Sequence, residues 1–423
     1  LELRTSVDKF QEANQKLDEE EEAAMMSAFR KMTAFLSVMD IHRPELFDAI
    51  MNATAVVDDK YTSNELLELM LTCQTLLLQY EVLSLVKDGD KGDKDKQKKE
   101  VSKTKKRRDQ LIHALERIIG KSVRGVETAY LCLCDVLILL QNNTGESTNV
   151  LKSLDYAVPE ELATKIRSFV EDNVFGGNQK QQLDQTAEIE MTHKKRAILA
   201  QYCKLVWTGV LPYNALAGIM AHYAKTFSDF GDIMRMTLGK MRETDRCALA
   251  KAIVAALKMA FENVKNKDST VDADAKSFGE LKELAKKLAT SLGNEYLKAR
   301  DSIAVIHRDG ILYALNVGAE TPSKKKKHAA PPNIAFLEVL IEFSKNLFAQ
   351  DKKALYTYLE RHAAAVNGPV IDDPMWGGYL IYRSSLTERN DDASSVYSFA
   401  HSVRGGRGGR GRGRGRATPM SDM

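Results

Sequence analysis

The side chains that could do chemistry are scattered along this 423-residue sequence, and their spacing matches none of the catalytic motifs that we sought. No G-x-x-x-x-G-K-[ST] phosphate loop and no H-E-x-x-H zinc motif occurs. The eight histidines stand singly. His222, His307 and His362 lie in helical patterns, which favours interface or surface positions over general bases. We therefore expect a protein that is not an enzyme and that needs no cofactor.

The five cysteines are Cys73, Cys132, Cys134, Cys203 and Cys247. The pair at 132 and 134 forms a C-x-C, but no second Cys or His cluster accompanies it, so core packing is favoured over a metal site. An odd, scattered set within apolar helical patterns indicates small buried hydrophobes in a reducing compartment, not a disulfide framework.

Basic residues gather in runs, although the net charge is only +3. The run Lys103–Arg108 (KTKKRR) is dense enough for a nuclear import signal or a phosphate-contact patch, and a merely solvated run is equally compatible with it. Lys324–Lys327 could likewise be only solvated. In the tail, arginines alternate with glycines, and such guanidinium groups can pair with phosphates and stack on unpaired bases. The predicted nucleic-acid contacts are Lys105, Lys106, Arg107, Arg108, Arg404, Arg407, Arg410, Arg412, Arg414 and Arg416.

Helical periodicity dominates the elements that would position these residues. From Thr244 to Val264, apolar residues recur every three or four positions and lysines occupy another face. Pro44, Pro159 and Pro212 each precede such a pattern. Ser228 or Asp229 is expected to cap the next helix, and Asp351 a later one. The longest apolar run, 129–140, is too short to span a bilayer, so we expect a buried helix and no contact with a membrane.

The fold class that follows is all-α. We favour a HEAT-like solenoid of helical hairpins over a closed bundle, although no repeat is visible in the sequence. The predicted organisation is helical repeats over 1–86, a charged disordered loop or solvated helix extension over 87–109, helical repeats over 110–317, a polar linker over 318–332, a terminal helical repeat over 333–386, and a disordered Ser/Asp-rich then Arg/Gly-rich tail over 387–423.

Four sequence blocks resemble the stromal antigen (SA/STAG) family of cohesin subunits. The first, Lys194–Phe261, contains four motifs of that family. These motifs are Tyr202-Cys203-Lys204-Leu205, with Tyr in place of the usual Phe, Tyr223 with Lys225, Asp229-Phe230-Gly231-Asp232-Ile233, and Lys240 with Arg242 and Asp245. The later blocks are Ala299–Leu315 with its D-G-I, Pro331–Glu360, and Trp376–Leu386. Together they span about 190–387 in the family's order.

The resemblance implies a non-catalytic HEAT-repeat subunit of cohesin, in the nucleus and on chromosomes. It implies binding to the kleisin subunit and, through it, to the cohesin ATPase ring, with a role in sister chromatid cohesion in mitosis or meiosis. Chromatin DNA and RNA are the further partners that we expect. Because the sequence opens with Leu1 in a helical pattern, we expect a C-terminal half of such a subunit, and the Arg/Gly tail departs from vertebrate members.

The turn over 228–232 combines carboxylates with a nearby aromatic residue and a cation. For kleisin binding we predict Tyr223, Lys225, Asp229 and Asp232, with an exposed aspartate pair facing a basic patch on a kleisin helix. The alternative is that Asp229 only caps its helix and Asp232 is solvated. A general helical-repeat adaptor or an RNA-binding protein that acts through its tail are the rival functions.

Overall fold

The computed structural model of the chain describes residues 18–39, 43–55, 63–87, 94–121, 124–141, 149–176, 184–266, 271–293, 295–317, 330–345, 347–366 and 374–387. Most of these residues are helical, the others lie in turns, bends or irregular segments, and none is in a strand. The all-α prediction is therefore confirmed. The chain divides into two compact units, Leu1–Thr244 and Asp245–Met423.

The described helices of the first unit are α1 (Glu19–Leu36), α2 (Pro44–Ala55), α3 (Asn64–Lys87), α4 (Lys94–Lys121), α5 (Val126–Leu139), α6 (Asn149–Leu154), α7 (Glu160–Val170), α8 (Gln185–Trp207), α9 (Ala217–His222) and α10 (Phe227–Thr244). A π-helical turn, Glu171–Phe175, extends α7, and a 3₁₀ turn, Tyr213–Leu216, precedes α9.

Several of these helices start at residues that are typical of helix N-termini. Asp18 and Glu21 form a capping box in which each side chain accepts the other's backbone N–H, and four glutamates in the first turn of α1 favour its positive end. Pro44 is the first residue of α2, the position where its missing N–H costs no helical hydrogen bond. The side chain of Asp184 caps α8 by accepting the N–H of Ala187 at 2.7 Å.

The principal contacts of each helix in this unit are with near neighbours along the chain: α3 packs on α1, α2, α4 and α5, then α5 on α8, and α8 on α10. Such nearest-neighbour stacking is the pattern of a helical-hairpin solenoid. Tyr130 on α5 stacks on Phe169 of α7 with ring centroids 4.6 Å apart, and its hydroxyl donates to the carbonyl of Ile198 on α8 at 3.2 Å. Buried aromatic residues thus join α5, α7 and α8.

Among the described helices, α3 alone is long and apolar enough to cross a membrane by length and composition. Its apolar residues, including Leu67, Leu71 and Leu78, are buried against the surrounding helices. The helix is therefore the core element of this unit.

The described helices of the second unit are α11 (Arg246–Glu262), α12 (Lys276–Ser291), α13 (Tyr296–Ala314), α14 (Phe336–Ser344), α15 (Ala349–Ala365) and α16 (Gly377–Thr387), with a 3₁₀ turn at Pro374–Trp376. Again α11 packs on α13, α12 on α14, and α14 on α16. Phe261, Tyr313 and Phe336 meet edge to face at centroid distances of 4.9–6.1 Å and hold α11, α13 and α14 together.

Of the two forms expected for 87–109, the helix extension is observed: residues 94–109 form the first part of α4, where none of residues 95–103 is buried and Thr104 and Arg108 are. The prediction of three N-caps was wrong. Ser228, Asp229 and Asp351 are not N-caps, because α10 already begins at Phe227 and α15 at Ala349. Residues 88–93, 318–329 and 388–423, which include the tail, lie outside the described residues.

Candidate functional site

The candidate partner surface lies at the turn between α9 and α10. The short α9 ends at His222, residues 223–226 form the turn, and α10 begins at Phe227. Lys225 and the first residues of α10 are exposed, whereas Phe230 and Ile233 point inward and anchor the helix. Part of the predicted motif is therefore exposed to a partner, and the rest is buried in the fold.

The two predicted aspartates have different roles. The carboxylate of Asp232 accepts hydrogen bonds from both terminal nitrogens of Arg196 on α8. The N–O distances are 3.1 and 2.5 Å, and the two bonds form a bidentate ion pair. The same guanidinium donates to the backbone carbonyl of Asp229. The hydrogen bond from Arg196 holds the pKa of Asp232 below its ordinary value. Asp232 therefore joins α10 to α8, although 57% of its side chain stays exposed.

Asp229 keeps its carboxylate at the surface. Its Oδ1 accepts a hydrogen bond from the neighbouring Ser228 hydroxyl at 2.8 Å, and the residue is exposed in the first turn of α10. A negative side chain is favourable there because the unpaired N–H groups of a helix begin at that turn. Both aspartates are exposed, and Asp229 is the one whose carboxylate is not paired with Arg196.

Of the two aromatic residues beside this turn, one is buried and the other is exposed. Tyr223 is only 4% exposed, which corrects its prediction as a contact residue, and burial raises the pKa of its hydroxyl. Its ring packs against Phe227, with centroids 5.6 Å apart. Phe227 is 37% exposed, and the guanidinium of Arg235 lies 5.7 Å from its ring centroid. The accessible aromatic residue at this turn is thus Phe227.

Lys225, Phe227, Asp229 and Arg235 together form what we call the α10 patch. These four residues offer one carboxylate, two cations and one aromatic face, and the exposed Asp232, paired with Arg196, lies between Asp229 and Arg235 on the helix. Such a mixture can bind an amphipathic helix that carries both signs of charge around an apolar residue. Sequence reasoning missed Phe227 and Arg235, although their spacing of eight residues is compatible with one helix face.

The arginines predicted to bind nucleic acid on α4 point into the fold. Arg107 makes a bidentate pair with Asp48 on α2, with both distances at 2.8 Å, and a contact of 3.0 Å with Glu81 on α3. The hydrogen bond to Asp48 raises the pKa of Arg107 above its ordinary value. Only 13% of the Arg107 side chain is exposed. Arg107 therefore joins three helices, and little of its guanidinium is left exposed for the predicted phosphate contact.

Arg108 is also structural. It is buried, its Nη1 donates to the carbonyl of Leu154 at the end of α6 at 2.7 Å, and its guanidinium lies 5.2 Å from the ring centroid of Tyr156. Of the same run, Lys105 is half-buried and Lys106 is exposed. The six predicted tail arginines lie outside the described residues.

The cysteines and histidines bear on chemistry as well. Four cysteines are buried, as the pattern predicts, and Cys247 is exposed, which it does not predict. Burial raises the pKa of the Cys132 thiol to about 11, so this sulfur is a neutral thiol near pH 7. In the part of the chain that the structure describes, no three His, Cys, Asp or Glu side chains are grouped so as to hold a metal ion.

His307 is fully buried, contrary to the surface or interface position expected from the sequence. Its Nδ1 lies 2.7 Å from the hydroxyl of Tyr382, and burial lowers the pKa of the imidazole to about 4. The imidazole of His307 is therefore neutral near pH 7 and forms a hydrogen bond within the core.

Comparison with known proteins identifies the family. The model of the STAG protein C-terminal domain matches residues 246–390. The chain is 32% identical over 376 residues to cohesin subunit scc-3 of Caenorhabditis elegans, an alignment that covers 89% of this chain and 33% of that protein. It is 29% identical over 413 residues to cohesin subunit SA-1 of Xenopus laevis, covering 95% and 32%, and 30% identical over 383 residues to cohesin subunit SA-3 of Mus musculus, covering 88% and 29%.

The chain thus spans about a third of the length of these relatives. Among solved structures, the crystal structure of an engineered protein aligns with 96% of this chain and 98% of its own at 13% identity and a TM-score of 0.26, which is too low to show a common fold. The relatives, the matched domain and the helical stack agree: the chain belongs to the stromal antigen family of cohesin subunits.

Proposed function

We propose that this chain acts as a non-catalytic helical scaffold of a nuclear cohesin complex, where it binds the kleisin subunit and supports chromatin association and sister chromatid cohesion. The observation that carries the proposal is the alignment of 89% of the chain with cohesin subunit scc-3. Its contact with the ATPase ring is indirect in this proposal, through the kleisin.

The α10 patch is the proposed kleisin contact. Arg196 fixes the start of α10 on α8 through Asp232, so the patch is presented on a helix that does not need to reorganise when a partner binds. A preorganised surface of this kind binds an extended or helical segment at a smaller entropic cost. The exposed Phe227 ring supplies apolar contact, and Asp229 and Arg235 give the charges that select the partner's orientation.

The test is a charge reversal at Asp229 that spares the ion pair of Asp232. We expect Asp229→Lys to weaken binding of a kleisin fragment by about tenfold, roughly 1.4 kcal/mol, without changing the helical circular dichroism spectrum. Isothermal titration calorimetry measures the change. The matched control is Asp301→Lys, which reverses the charge of an exposed aspartate on α13.

If Asp229→Lys and the unaltered chain bind the kleisin fragment with equal affinity, the α10 patch is not the kleisin contact. If the unaltered chain itself shows no affinity for the kleisin, the scaffold function is refuted. Asp232→Asn is a third variant with a different expectation: it loosens α10, so its effect should appear in stability as well as in binding.

A further inference from the structure

The first part of α4 extends beyond the packed part of its unit as a charged helix. None of residues 95–103 is buried, and the core contacts of α4 come from Thr104 onward, through Arg108, Leu111 and Leu115. At 1.5 Å per residue, the segment from residue 94 to residue 104 is about 15 Å long. It is therefore a solvent-facing helix held at one end by the fold.

Exposed lysines recur along one side of this segment. Lys96, Lys99, Lys103 and Lys106 are spaced by three, four and three residues, and all four are exposed. A helix turns by about 100° per residue, so the four side chains lie within a sector of about 80°. We call this set the α4 lysine stripe. Lys98 and Lys105 lie outside that sector.

The charges that surround the stripe leave it basic. Glu100 pairs with Lys103 at 2.8 Å, and both side chains are about half exposed. Asp95 lies in the first turn, where a carboxylate stabilises the helix end. Two carboxylates against four ammonium groups leave a net positive face. The two arginines that follow are committed to the fold, as shown above, so the cations available to a partner are the lysines.

The stripe ends at a cleft. A space of about 270 Å³ opens between α2 and α4, and Asn52, Gln110, Lys103 and Lys106 line it. Arg107 and Asp48, which neutralise each other, form part of its wall. Side-chain amides beside ammonium groups are donors suited to phosphate oxygens, which accept several hydrogen bonds at once.

We propose that the α4 lysine stripe and its cleft bind the sugar–phosphate backbone of a nucleic acid. The stripe extends about 15 Å, which corresponds to about four steps of 3.4 Å along one strand, so consecutive lysines can meet consecutive phosphates. Flexible ammonium groups act as point charges and read no sequence, so the contact is not sequence-specific. The proposal rests on the chromatin association proposed above and assigns part of it to these residues.

The experiment compares two full-length quadruple variants that lose the same charge. The stripe variant carries Lys96→Gln, Lys99→Gln, Lys103→Gln and Lys106→Gln. The control variant carries Lys240→Gln, Lys251→Gln, Lys286→Gln and Lys298→Gln, all at exposed positions on other helices. Both are made in a background in which the six tail arginines are Gln, so that the tail does not mask the difference. Fluorescence anisotropy with a 20-base-pair duplex and a 20-nucleotide single strand is recorded from 50 to 200 mM salt.

We expect the stripe variant to reduce the slope of log K against log salt by about 3 to 4 with duplex DNA, since each phosphate contact contributes about 0.9. The control variant should keep the slope of its background. Equal slopes in the two variants would overturn the stripe. A reduction of the slope with the single strand alone would support the nucleic-acid contact and assign the stripe to unpaired strands.

Kleisin binding is measured on the same proteins, because an acidic protein segment is the rival occupant. Loss of kleisin binding with unchanged nucleic-acid binding would refute the proposal and place an acidic segment on the stripe. Intact kleisin binding with equal nucleic-acid slopes would refute the stripe and leave the scaffold function standing.

Discussion

Arg107 shows why a basic run does not by itself identify a phosphate site. It follows three other cations in the sequence, yet its guanidinium pairs with Asp48 and Glu81 of two other helices. Glu81 is almost completely buried, with 4% of its side chain exposed, and it also accepts the hydroxyl of Thr104 at 2.5 Å. Such a carboxylate depends on its partners, because a buried charge without a counter-ion is strongly destabilising.

Arg107→Ala should therefore destabilise the packing of α2, α3 and α4 by about 3 kcal/mol. Hydrogen exchange followed by mass spectrometry would show amides of α3 and α4 exchanging about a hundredfold faster. Lys105→Ala, two residues earlier, is the control and should change exchange by less than about twofold. Equal protection in the two variants would mean that the ion pairs contribute little.

His307 gives a prediction for pH dependence. Its folded-state pKa of about 4 lies below the ordinary value of 6.5, so the folded protein favours the neutral ring. As the pH falls below 6.5, the unfolded chain takes up the proton first, and stability is lost progressively down to pH 4. The contribution of His307 is complete above pH 6.5 and should fall by about 2 kcal/mol at pH 5.

The measurement is urea unfolding of the second unit at pH 7.5 and pH 5. The fluorescence of the buried Trp376 reports on that unit in a Trp207→Phe background. The comparison is with His307→Gln in the same background, which keeps a hydrogen-bonding group but does not titrate. The decrease in the free energy of unfolding from pH 7.5 to pH 5 should be about 2 kcal/mol smaller in this variant. An identical decrease in the two proteins would contradict the prediction.

At the scale of the element, α13 and α14 approach so closely that a side chain is excluded. A Cβ added at Gly310, in the D-G-I motif, would lie 2.7 Å from Cδ2 and 2.8 Å from Cδ1 of Leu340. Leu340 is itself fully buried, which limits the space into which it can move. This glycine is therefore needed for the close approach of the two helices and does not form a turn.

Gly310→Ala should destabilise the second unit by about 1–3 kcal/mol through overpacking. Gly279 on α12 is the matched control, because nothing lies within 4 Å of a Cβ placed there. Gly279→Ala should instead stabilise the unit by about 0.5–1 kcal/mol, since alanine loses less backbone entropy in a helix. Urea midpoints from Trp376 fluorescence measure both changes, and a shift of the same sign in the two variants would contradict this account.

The helix α4 shows that composition alone does not decide between a disordered loop and a solvated helix. Its first part is so rich in lysine that disorder is a reasonable expectation. The second part carries Leu111, Leu115 and Ile118, which pack into the core and hold the helix there. Once those turns are formed, each further residue adds a hydrogen bond at little additional cost, so the helix continues back to Lys94.

At the scale of the whole molecule, the described helices of each unit pack mainly on near neighbours in the sequence, and the Arg/Gly-rich segment follows them in the chain. Deletion of residues 402–423 removes all six tail arginines. We expect this deletion to reduce the slope of log K against log salt by about 4 to 5 and to leave the melting curve unchanged. Fluorescence anisotropy and thermal circular dichroism test the two expectations.

Full binding of the deletion variant at low salt would place the nucleic-acid contact on the folded surface alone. RNA crosslinking of the unaltered chain, compared with its co-precipitation with the kleisin, separates a tail-centred RNA-binding function from the scaffold function.

The sequence alone was enough to determine the all-helical class and the family. Periodicity and capping signals are local, and the family blocks are linear strings of residues such as Tyr202–Leu205, so no knowledge of distant neighbours is needed to see them. Which of the predicted site residues a partner can reach was decided only by the tertiary structure. Arg196, 33 and 36 positions before the aspartates, pairs with the carboxylate of Asp232 but only with the backbone carbonyl of Asp229. Asp48 and Glu81, on other helices, likewise take Arg107 out of a run whose charge suggests phosphate binding. The physical reason is that the pairing of a charged side chain depends on distance in space, and residues far apart in the chain supply the partners.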